Sequence, residues 1–239
     1  MQEGSPGKRN TEDRIKAARQ IRAVRKNERQ WINTNKGKFL TNRGKYDYIW
    51  ELHGLKELFA YLRIKKNTKV LDIGSGTGRA VDEISKSELG KGLEFVKTAL
   101  INYSGENSRK IHLTSAEVLR GIPSDSFGAI LAVFSVAYSE APELVAQQID
   151  RVLVPGGVFK GSFNSRNSPE TAFGKVTLKK YGNLRLILQK MGYDTATISD
   201  FSDKYLEFHD SVLLAIKPDP SSGVPRAVDL LEADYSHST

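Results

Sequence analysis

The sequence contains no cysteine. That absence removes disulfides, zinc–cysteine sites, iron–sulfur clusters and any thiol nucleophile from the chemistry open to the chain. Nor does any apolar run approach the roughly 20 residues that a membrane-spanning helix needs, so no membrane span is expected. The opening residues, MQEGSPGKRNTEDR, lack the apolar stretch of a secretory signal, and a cytoplasmic location is the expectation. No Gly-Lys-Ser/Thr follows a glycine-rich turn, which excludes a P-loop. No internal repeat is visible.

What remains is a 239-residue chain with 39% hydrophobic residues, enough for one sizeable core with extensions. Its net charge of +8 is unevenly placed. Residues 1–45 hold thirteen lysines and arginines against four acids, a local charge of +9, so the remaining residues sum to about −1. Residues 1–10 have almost nothing to bury and are expected to be disordered. Thr11 is a plausible N-cap, and Ile15, Ala18, Ile21 and Val24 then form a narrow apolar stripe on a very basic helix. This arm, residues 1–45, is followed by a main domain over 46–218 and a peripheral tail over 219–239. The domain is expected to begin with a helix through DYIWELHGLKELFAYL.

From Lys69 the pattern alternates. Short β-rich runs stand at KVLDI, KGLEF, KIHLT, GAILAVF, GVFKGSF, TATIS and SVLLAIK, with helices expected over 78–87, 96–103, 141–153 and 178–191. Such alternation predicts an α/β fold: a doubly wound, Rossmann-like, mostly parallel seven-stranded sheet with an antiparallel last strand, plus the helical extension at the N-terminus.

VLDIGSGTGRA, residues 70–80, puts glycine at 74, 76 and 78 directly after the first strand. In a doubly wound sheet, ligands bind beyond the carboxyl ends of the strands, where strand order reverses. Bare backbone there permits a tight turn and a close ligand approach. The spacing is G-x-G-x-G with Arg79 next, not the G-x-G-x-x-G of dinucleotide binding. An acid about 20 residues on, closing the second strand, is expected to accept from ribose hydroxyls, and Glu94 in KGLEF fits that expectation.

VLDIGSGTG, SAEVLRGIPSDSFGAILAVFSV and IDRVLVPGGVF, in this order, resemble three motifs of the class I S-adenosylmethionine-dependent methyltransferases. The likeness covers about residues 46–217 and is nearest the small-molecule branch typified by ubiquinone and menaquinone biosynthesis. It implies S-adenosyl-L-methionine as cofactor. Gly74, Ser75, Gly76 and Gly78 would pack against it, with Asp72 holding the loop. Glu94 would take the ribose and Phe95 the adenine face. Ser115 and Ala116 would meet the adenine edge, and Phe134 would border the methionine end. Phe95 and Phe134 have a plain core role as the competing reading. Gly156 and Gly157 read as a turn. Three positions depart from the family pattern: Ser115 replaces a frequent aspartate, Gly128 a common aspartate, and Ala137-Tyr138 a His-His pair.

Methyl transfer from a sulfonium is an in-line displacement, so the protein chiefly aligns the reactants and excludes water. A hydroxyl or ammonium acceptor also needs a base, for which Tyr138 and His209 are candidates against structural roles for both. No N-P-P-Y or D-P-P-Y tetrapeptide follows the fourth strand, and no aspartate-rich metal set is present. A small-molecule acceptor methylated on O, N or C is the leading expectation. RNA or protein methylation through the basic arm, and a non-catalytic relative that only binds the cofactor, are the alternatives.

Overall fold

The computed structural model describes residues 55–76, 78–99, 111–133, 135–136, 139, 141–163, 182–197, 211–221 and 223–236. The basic arm and its expected helix lie outside these residues. In chain order the elements are α1 (Lys56–Ile64), β1 (Lys69–Ile73), α2 (Arg79–Lys86), β2 (Glu94–Ala99), β3 (Ile111–Leu113), β4 (Phe127–Val133), α3 (Pro142–Val152), β5 (Leu153–Phe163), α4 (182–190), β6 (Asp194–Thr197), β7 (Ser211–Ile216) and α5 (Ala227–Ser236).

The seven strands form one sheet in the order β3-β2-β1-β4-β5-β7-β6. β1 pairs in parallel with β2 and β4, β3 with β2, and β5 with β4. β7 alone runs antiparallel, inserted between β5 and β6. Strand order reverses at β1, whose two neighbours are β2 and β4, so the expected architecture is present.

Both faces of the sheet are covered, which is why β1 and β4 read as nearly continuous apolar runs. Alternation divides their side chains between two cores. Val70, Leu131, Val158 and Leu214 join Leu58, Phe59 and Leu62 of α1 on one face. Leu71, Ile130, Phe159 and Leu213 join Val145, Ile149 and Val152 of α3 and Leu188 of α4 on the other. α3 opens with Pro142 at its first turn, where a missing amide costs nothing. Its buried residues recur at helical spacing along one side.

Two expectations are corrected. The helix anticipated over 96–103 begins instead as strand: β2 runs to Ala99, because pairing with β1 along Lys69–Ile73 outweighs local preference. The tail over 219–239 is not peripheral. Its helix α5 buries Ala227 and Leu231 completely against the α1 face, and Asp194 Oδ2 accepts from the Ala227 amide at 2.6 Å. That carboxylate satisfies an orphan amide at a helix start, where negative charge is favoured.

Gly128 has a packing reason that its neighbours in sequence do not reveal. A Cβ there would lie 1.9 Å from the carbonyl oxygen of Asn67, in the turn leading into β1. Gly128→Asp is therefore expected to cost about 1–3 kcal/mol or more, since backbone cannot yield as a side chain can. Urea unfolding checks this through a lowered midpoint at unchanged slope.

Candidate functional site

The turn after β1 is built on hydrogen bonds to β2. Gly74 and Ser75 both donate their amides to the Thr98 carbonyl, at 3.0 and 2.8 Å. The Ser75 and Thr98 hydroxyls donate to the Asp72 carbonyl at 3.0 and 3.2 Å, and the Gly78 amide donates to Ser75 O at 2.8 Å. Gly74, Gly76 and Gly78 all have positive φ, at 79°, 57° and 76°. Ser135, beyond β4, donates its hydroxyl to the Ile73 carbonyl. A Cβ on Gly74 would stand 2.3 Å from the Cβ of that serine. The loop is thus clasped from β2 on one side and from the β4 end on the other.

Asp72 occupies a core position on β1 and is only 5% exposed. Burial pushes its carboxyl up to about 7, against the opposing pull of the Ser75 hydrogen bond and the Lys97 ammonium. Lys97 is its register partner on β2. It too is buried, and its Nζ lies 2.6 Å from Asp82 Oδ1 in the first turn of α2.

Glu94 and Phe95 are not at this site. Glu94 opens β2 opposite Lys69, with a 3.4 Å ion pair between exposed side chains. That is the amino end of the strands, whereas the glycine turn follows the carboxyl end. Phe95 packs edge-on against Phe59, ring centroids 5.8 Å apart, beside the α1 core. The error follows from the expected strand ending at Phe95, four residues short of its end at Ala99. The side chains at the carboxyl half of β2 are Lys97, Thr98 and Ala99, so no carboxylate stands there among the described residues.

Ser115 and Ala116 follow β3 at the carboxyl edge, two strands from the glycine turn. Ser115 is 4% exposed and its Oγ has no hydrogen-bond partner among the described residues. Ala116 packs on the α3-side core. Glu117 accepts from the Ser139 hydroxyl at 2.6 Å, and Ser139 Oγ accepts from the Ala141 amide at 3.1 Å, which ties this turn to the segment after β4. Phe134, Tyr138 and His209 lie outside the described residues. No group of three or more His, Cys, Asp or Glu placed to hold a metal occurs among those described.

Lys97, Thr98, Ser135 and the Glu117–Ser139 pair were not singled out in the sequence. A lysine in an apolar alternation, as in EFVKTA, is the one signal that marked any of them.

The bare turn, the reversal of strand order at β1 and the unpartnered Ser115 hydroxyl together fit a ligand carrying hydrogen-bonding groups, laid across the carboxyl edge. Comparison with known proteins agrees. A family model described as a methyltransferase domain matches residues 71–160. The sterol 24-C-methyltransferase of Neurospora crassa is 32% identical over 115 residues, covering 43% of this chain and 29% of that protein. The chain therefore spans less than a third of the curated relative it matches. The solved structure of the plantazolicin methyltransferase BpumL, in complex with a pentazolic desmethyl analogue and SAH, has a TM-score of 0.55 at 14% identity, over 89% of this chain and 99% of that one. The CMeT domain of the citrinin polyketide synthase has a TM-score of 0.52 at 18% identity, over 69% and 52%. At these identities the structures establish a shared fold.

The raised pKa of Asp72 has a definite sign for stability. Its folded value of about 7 lies above the ordinary 3.8, so its contribution is full below about pH 4 and is lost as pH rises through about 7. Asp72→Asn stays neutral throughout. The variant is expected to gain on the wild type between pH 4 and pH 8 in denaturant unfolding, and a flat difference would count against a buried, titrating Asp72.

Proposed function

We propose that the chain, which matches a methyltransferase domain over residues 71–160, is a class I S-adenosylmethionine-dependent methyltransferase that transfers a methyl group to an O, N or C atom of a small-molecule acceptor. The observation that carries this reading is the clasped glycine turn at the strand-order reversal, with a buried hydroxyl left without a partner nearby. S-adenosylmethionine, when bound, supplies an activated methyl group on a sulfonium. The residues of the chain have the work of holding and aligning.

The backbone at Gly74, Ser75 and Gly76 holds the cofactor at the end of β1, and the Ser115 hydroxyl meets a polar edge of it. The Asp72 carbonyl fixes the loop from below by accepting from the Ser75 hydroxyl. Glu94 and Phe95 take no part, because they stand at the opposite end of the sheet. Phe134, the residue after β4, borders the reacting end in this reading. An acceptor that loses a proton on methylation needs a base, and Tyr138 is our candidate, with His209 second. Residues 1–45, with their charge of +9, support a second reading in which RNA is a partner; that binding would weaken steeply with salt.

Gly76→Val puts a β-branched side chain on a backbone at φ 57° beside the ligand, and is expected to abolish binding of S-adenosylmethionine and S-adenosylhomocysteine. Glu94→Ala should leave both affinities within about twofold of wild type, since loss of an exposed ion pair has little effect. Titration calorimetry on folded protein measures both. Tight NAD binding with no response to either sulfur ligand would overturn the reading.

A further inference from the structure

We propose that Lys97 is a positioning residue for the cofactor loop: its buried ammonium ties α2 to β2 beneath the glycine turn and holds β2 where the Thr98 carbonyl anchors that turn. The inference rests on the cofactor reading above and deepens it.

Lys97 is 4% exposed on a strand whose amino-terminal half is open to solvent. Its Nζ contacts Asp82 Oδ1 at 2.6 Å. The side chain runs directly under Gly78, the residue that begins α2. A Cβ on Gly78 would lie 2.9 Å from Lys97 Cδ and 3.0 Å from Nζ. The last glycine of the loop is therefore bare on the lysine side, and a side chain there would displace the lysine rather than the ligand. Thr98, the next residue, accepts both loop amides through its carbonyl. Any shift of β2 at Lys97 is thereby transmitted to Gly74 and Ser75.

Among the described residues the charges around Asp72 are few. On β2 it faces Lys97, with Asp82 of α2 behind it, and in the loop it meets the Ser75 hydroxyl. On β4 its register partner is the apolar Leu131, and beyond that strand Lys160 of β5, 4% exposed, occupies the same row. Lys97 is the cation whose pull on Asp72 opposes the rise caused by burial. Loss of that pull leaves the carboxyl beneath the loop protonated to higher pH. Removing the Asp82 side of this half-buried pair would strand the buried ammonium, whereas replacing both by apolar groups of similar volume is tolerated.

The test measures S-adenosylhomocysteine affinity from pH 6 to pH 9 by calorimetry for wild type, Lys97→Met, Lys97→Arg and the double variant Lys97→Met with Asp82→Leu. Leu231→Ala, in the α5 core, serves as a variant of lowered stability remote from the loop. We expect Lys97→Met to weaken binding at least tenfold near pH 7.5 and to move the pH midpoint of binding upward. Lys97→Arg should recover most of the affinity. Leu231→Ala should keep the wild-type midpoint. The double variant should restore the melting temperature but not the midpoint, and it stands in for the single variant if that one does not fold. Affinity within twofold of wild type and an unmoved midpoint, in whichever of the two Lys97→Met variants folds, overturns the proposal. A wild type that binds no S-adenosylhomocysteine overturns the cofactor reading and this inference with it.

Discussion

The parallel pairing of β1 with β2 places Asp72 opposite Lys97 and Ile73 opposite Thr98, and most of the carboxyl edge follows from that register. Because Thr98 sits level with the end of β1, its carbonyl is available to both Gly74 and Ser75 as the chain leaves the sheet. Because Lys97 sits one residue earlier, its side chain passes under Gly78 and reaches the first turn of α2. A one-residue slip would send the lysine to the opposite face and exchange it for an apolar residue. The buried charge is thus a register marker as well as an ion pair.

A carboxylate and an ammonium enclosed together, with the half-buried Asp82 at their margin, are not a route to stability. Desolvation of such groups is comparable to their mutual attraction, and an apolar replacement is often as stable. Asp72 occupies a position in the strand alternation that Val70 fills with hydrocarbon two residues earlier. Its raised pKa is the signature of that cost. Retention of charge at this point is consistent with a role in shaping the loop above it, which an apolar core cannot supply because it offers no directional bond.

The two ends of the sheet differ in how their polar groups are satisfied. At the amino end, the Tyr61 hydroxyl donates to the Gly156 carbonyl at 2.9 Å, and Lys217 Nζ donates to the carbonyls of Asp150 and Leu153 at 2.7 and 2.8 Å. Gly156 and Gly157, expected as a turn before the fifth strand, lie within β5 where its pairing with β4 shifts register, and these bonds stitch that irregularity down. At the carboxyl end the only two buried hydroxyls without partners among the described residues are Ser115, just after β3, and Ser162 of β5, to either side of β1. Buried polar groups normally find partners, and leaving two of them open at one end points to a place where a ligand completes the bonding.

The class of fold and the position of the glycine turn were both legible from residue order, because strand–helix alternation and a G-x-G-x-G run after a strand are local patterns. Seven strands and the antiparallel last one were likewise read from short apolar runs. The end of β2 was not legible. FVKTA carries no breaker to mark where strand stops, and only pairing against Lys69–Ile73 extends it to Ala99. That extension moved Glu94 to the wrong end of the sheet and brought Lys97 into the site. The burial of α5 was hidden for a similar reason: RAVDLLEADY is only weakly patterned, and its docking depends on the α1 face and on Asp194, some thirty residues earlier. Local pattern determines which elements form and in what order. Which end of a strand a side chain occupies, and which charge lies beneath a loop, is decided by long-range hydrogen bonding and packing that no stretch of sequence contains by itself.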